Sequence, residues 1–100
     1  MIYFSAVGMV NALGNNLHEI ADNLAHGRAP GMLPDSQYLT SKQQIWLGKV
    51  TADLQPVPDE LVEHRSRNNQ LLLAALAQIE QPVHQAIAKY GHQRIAVIMG

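Results

Sequence analysis

The chain has 100 residues, 47% apolar and 15% charged, a composition that suits one small folded domain and excludes a disordered tract. Seven basic against eight acidic residues leave a formal charge of -1, without the basic footprint of a nucleic-acid or anionic-membrane binder. The absence of cysteine excludes disulfides, thiolate metal sites and a cysteine nucleophile within these residues. No cationic stretch followed by an apolar core opens the chain, and the longest apolar run, Leu71 to Ala77, is too short to span a bilayer. A soluble, cytoplasmic protein is the expectation.

Ile2 to Val10 is apolar apart from Ser5 and Gly8, which predicts a buried strand over 2–10. Its small residues, Ser5, Ala6 and Gly8, admit close approach by another element. The turn "NALGNN" follows, with Gly14 the expected position of a positive φ angle. Asn16 and Glu19 have capping-box spacing, and Leu17, Ile20, Ala21 and Leu24 form one apolar stripe. A helix near 16–26 is therefore expected, closed by Gly27. Ala29 to Lys42, with two prolines and Gly31, reads as a long loop. "IWLGKVT" predicts a short strand over 45–51, and "DLQPVPDELVEH" holds one short helical turn starting near Pro58.

A second helix is expected over 67–90, capped by Ser66 or Asn68 and stopped by Gly91. Leu72, Leu76, Ile79, Val83, Ile87 and Tyr90 fall within an arc of roughly 80°, a register that holds across Pro82. One helix kinked at Pro82 is the preferred reading. Leu71 and Leu73 widen the apolar arc to about 200°, more than one sheet needs. Either these leucines fill a generous core, or the helix meets a second partner outside the chain. Finally, "RIAVIMG" predicts a central strand over 94–99. The whole is α/β, with three strands in the order β-α-β-α-α-β.

Chemistry-bearing constellations are few. Gly8 and Gly14 do not make G-x-G-x-x-G, and no Gly-Lys-Ser/Thr follows, so dinucleotide and P-loop fingerprints are both unmet. That leaves a free-standing nucleotide-binding domain as the weakest functional reading. The helix start at Asn16 offers amides to an anion, although plain capping accounts for it. His18, His26, His64, His84 and His92 have no helical metal-pair spacing. Asp59, Glu60 and Glu63 sit in the first turns of a short helix, where carboxylates favour the dipole. Ser5, Ser36, Ser41 and Ser66 lack a nucleophile-elbow context. The one basic patch is "HRSR", in which Arg65 and Arg67 are candidates for meeting an acidic partner. No catalytic, cofactor-binding or metal-binding residue is assigned.

The order of elements carries a resemblance. "VGMVNALGNNLHEIADNLAHGRAPGM", "WLGKV", "RNNQLLLAALAQIEQ" and "RIAVIMG" resemble, in sequence and spacing, the opening of β-ketoacyl-acyl-carrier-protein synthases, condensing enzymes of the thiolase-like fold. The resemblance covers essentially all 100 residues. Asn11-Ala12 stands where the family commonly has Ser-Pro or Ser-Ser, and Pro82 interrupts a helix that is usually smooth, which points to a divergent branch. Family members are several times longer, fold as two similar halves in a layered αβαβα domain, and act as dimers.

The resemblance implies 1–100 as a single partial domain, the N-terminal portion of such a synthase, ending before the catalytic residues. A complete relative loads an acyl group from a carrier-protein thioester onto a cysteine thiolate. Two histidines then assist decarboxylation of a malonyl thioester, and backbone amides stabilise the developing oxyanion. None of the five histidines here matches those motifs, so no catalytic residue carries over and the chain alone is expected to be inactive. The substrate context is fatty-acid or polyketide-type synthesis. The alternative is a non-catalytic interaction module that binds a carrier protein or a full-length synthase. In both cases unpaired apolar strands imply a homo-oligomer or a domain-swapped assembly.

Overall fold

The computed structural model describes residues 1–100. Helix α1 spans Leu17–Ala25. The Asn16 side chain accepts the Glu19 amide at 2.8 Å, and the Glu19 carboxylate accepts the Asn15 amide at 3.1 Å. This is the expected reciprocal cap, with the returning bond one residue early. Gly27 ends the helix at φ 63°, as its lack of Cβ allows. Gly14 does not have a positive φ; its role is spatial, since a Cβ there would lie 2.9 Å from the Glu19 side chain.

Strands β1, Met32–Asp35, and β2, Ile45–Gly48, form an antiparallel hairpin in which Leu33 faces Leu47 and Pro34 faces Trp46. The expected strand over 45–51 is thus present at 45–48. Its pairing reaches one step further, where the Lys49 amide donates to the Gly31 carbonyl at 2.7 Å. The expected loop over 29–42 is corrected, because it contains β1. Pro34 is tolerated there since each strand of a two-stranded hairpin has an outer edge that needs no partner. The Gly31 amide donates to Ala12 at 2.8 Å, and a Cβ at Gly31 would collide with the Ala12 and Lys49 carbonyls. Buried Gly31 therefore locks the hairpin to the turn before α1.

A 3-10 turn over Asp59–His64 starts after Pro58, as expected. Helix α2, Arg67–Ala77, is capped by Ser66, whose hydroxyl accepts the Asn69 amide at 3.1 Å. Helix α3, Glu80–Tyr90, ends at Gly91 with φ 83°. The expectation of one helix over 67–90 kinked at Pro82 is corrected to two helices that break at Gln78 and Ile79. Proline has no N–H to give the carbonyl four residues back, and its ring crowds that carbonyl. The carbonyl concerned is that of Gln78. The last turn of α2 tightens instead, with Gln78 and Ile79 donating to Ala75 and Leu76 at 3.2 and 3.0 Å. Pro82 then sits in the first turn of α3, where a missing donor is harmless.

Segments 2–10 and 94–99 differ from the three-strand expectation, since neither is paired as a strand. Arg94 belongs to a 3-10 turn over His92–Arg94, and Ile95 beyond it has extended dihedrals. No backbone group of residues 2–8 or 96–100 is hydrogen-bonded within the chain. A strand exists only through its neighbour's hydrogen bonds, and these segments have no neighbour here.

One contact does secure the end of the first segment. The Gln78 amide accepts the Met9 N–H at 3.1 Å and donates to the carbonyls of Met9 and Asn15 at 3.1 and 2.8 Å. Beside it, a Cβ at Gly8 would collide with the Ala75 carbonyl oxygen. The broken end of α2 thus rests directly on the backbone at Gly8 and Met9.

The interior is thin. Only five residues are buried: Gly14, Ile20, Asn23, Gly31 and Val57. The chain exposes 8361 Å², against about 5,600 Å² for a self-contained monomer of its mass. Its radius of gyration is 17.0 Å, against about 13 Å for a compact domain of this length.

Candidate functional site

Asn23 is the buried polar residue, and every group around it is partnered. Its amide donates to the Leu13 carbonyl at 2.6 Å, and its carbonyl oxygen accepts Arg28 Nε at 3.1 Å. Arg28 also bonds Asp22 at 2.5 Å and, through its own amide, the Asn23 carbonyl at 2.8 Å. This cluster fixes the turn before α1 to the turn after it and offers no free group for chemistry. Sequence reasoning missed it, because Asn23 lies beside and not within the apolar stripe of α1 and carries no local signal of burial.

The other candidates are not brought together. No three His, Asp or Glu side chains approach one another closely enough to hold a metal ion. His26 Nδ1 lies 2.8 Å from the Asp22 carbonyl oxygen, a local contact along α1. At the start of α1 the Glu19 amide is already taken by Asn16, which favours capping over anion binding. Of the acidic trio, Asp59 is ion-paired with Arg65, while Glu60 and Glu63 are exposed. Asp35 and Lys49 pair at 2.5 Å across the hairpin. The Lys49 ammonium, then the Gln37 amide, holds the Asp35 carboxyl below the usual carboxylate range, and Asp35 in turn raises Lys49. Lys89 is raised by its neighbour Tyr90, whose ring centre is 4.9 Å away.

Arg65 and Arg67 flank a shallow cleft of about 290 Å³ that also includes Val57, Ser66 and Gln70. They are not equivalent. Arg65 is engaged by Asp59, whereas Arg67, the first residue of α2, has no ion-pair partner and also borders a cleft of about 680 Å³ with Tyr38, Lys49 and Leu71. A third cleft, of about 550 Å³, runs between α2 and residues 52–58, with Gln55, Gln70 and Leu73 on its walls.

Large apolar side chains are exposed as well. Leu72 and Leu76 of α2 and Ile87 and Tyr90 of α3 are 37–52% exposed, and Phe4 and Ile98 exceed 90%.

No family model and no curated protein matches the chain. A solved structure does. A chain in the structure of a ketosynthase (ApeO) in complex with its chain length factor (ApeC) from Xenorhabdus doucetiae is 55% identical, with a TM-score of 0.85 over 89% of the present residues. This chain is ketosynthase-like. It spans 22% of the length of that relative. The agreement covers fold as well as sequence, and the α/β arrangement is consistent with the thiolase-like fold. No helix of this ketosynthase-like chain is long and apolar enough to cross a membrane.

Proposed function

We propose that the chain is the N-terminal part of a 3-oxoacyl-[acyl-carrier-protein] synthase and supplies scaffold, not catalytic groups. The 55% identity to a ketosynthase carries this reading. In the complete enzyme, decarboxylative Claisen condensation would join an acyl thioester to a malonyl-carrier protein, in fatty-acid or polyketide-type synthesis. The residues here contain no cysteine to receive the acyl group. Their contribution is the first segment held by Gln78, the helices that pack beside it, and the segment that ends at Gly100.

Two measurements test the proposal. Incubated with acyl- and malonyl-carrier protein, the chain should give neither acyl transfer nor carbon dioxide release; either product overturns the scaffold role. The reading frame downstream of codon 100 should encode a Gly-Thr-rich loop and then a cysteine. A frame without both removes the synthase assignment.

Unpaired Arg67 favours a second reading, an interaction module that binds an acidic carrier protein or a full-length synthase. Arg67→Glu should weaken carrier binding roughly tenfold, or ~1.4 kcal/mol. Arg65→Glu should weaken it less, because Asp59 already neutralises Arg65. Equal affinity of Arg67→Glu and the parent chain in a calorimetric titration would discard the patch.

A further inference from the structure

We draw no further inference here: the strongest candidate, the cleft of about 680 Å³ that Arg67 of α2 borders with Tyr38 and Lys49 of the hairpin, belongs to the acidic-partner site already described, and nothing in the structure shows what covers its apolar walls.

Discussion

Gln78 occupies the position where several local choices meet. Its side chain provides three bonds that a neighbouring strand and turn would otherwise supply. At a net 0.5–1.5 kcal/mol per bond, the lower end applying because the site is exposed, Gln78→Ala should destabilise the chain by about 1–2 kcal/mol. Hydrogen exchange at the Met9 amide is the more specific readout and should accelerate. Gln78→Glu should behave similarly, since a carboxylate can accept from the Met9 N–H but cannot donate to two carbonyls. Gly8→Ala tests the same junction sterically. An added methyl must displace the Ala75 carbonyl, for about 1–3 kcal/mol in urea unfolding. Unaltered stability would mean that the end of α2 does not rest on Gly8.

Charge at the hairpin is also a residue-scale matter. Asp35, with its pKa lowered, contributes stability above the ordinary aspartate value near ~3.9, and this is lost as pH falls through the lowered value. Lys49, with its pKa raised, contributes below the ordinary lysine value near ~10.4, and this is lost as pH rises through the raised one. The pairing of β1 with β2 should therefore be constant between those limits and weaken outside them. Trp46, the sole tryptophan, lies in β2 and reports this by fluorescence. A pH-independent signal through the acid limb would show that the pair does not support the hairpin.

Among the elements, the helix break is the most open to test. Pro82→Ala restores a donor for the Gln78 carbonyl, so α2 and α3 should merge and helical ellipticity should rise. The same merger would draw the Gln78 side chain off Met9, and protection of that amide should fall. A rise in both would uncouple the break from the clamp. Ser66→Ala removes the cap of α2 and should lower stability by about 1 kcal/mol.

Local signals made most of these elements legible in the sequence. Asn16, Gly27, Ser66 and Gly91 set helix ends within one or two residues, because capping is a short-range interaction. β1 was not legible, because "MLPD" is short, contains proline and owes its conformation to β2. The break at Gln78 was misplaced to Pro82, since the steric effect of proline acts four residues upstream. Segments 2–10 and 94–99 were read as strands from apolarity, yet pairing depends on a neighbour that composition cannot supply. For the candidate site, the sequence singled out Arg65 and Arg67. That only Arg67 is unpaired follows from the course of the chain between Asp59 and α2.

For the molecule as a whole, five buried residues cannot sustain a sharply cooperative transition. The heat-capacity change and the denaturant m-value both scale with surface exposed on unfolding. At dilute, non-associating concentration both should fall well below those of a compact 100-residue domain, whose heat-capacity change is roughly 1.2–1.5 kcal/mol/K. Calorimetry decides it, and a transition of full size would contradict the open architecture.

The lack of charge at the two ends has a practical corollary. Sodium chloride screens ion pairs but leaves the drive to hide hydrocarbon from water intact. Raising the ionic strength should therefore strip an acidic carrier from Arg67 while any contact made by the apolar ends persists. A simple salt titration could thus separate a recruitment contact from a building contact on the same small chain.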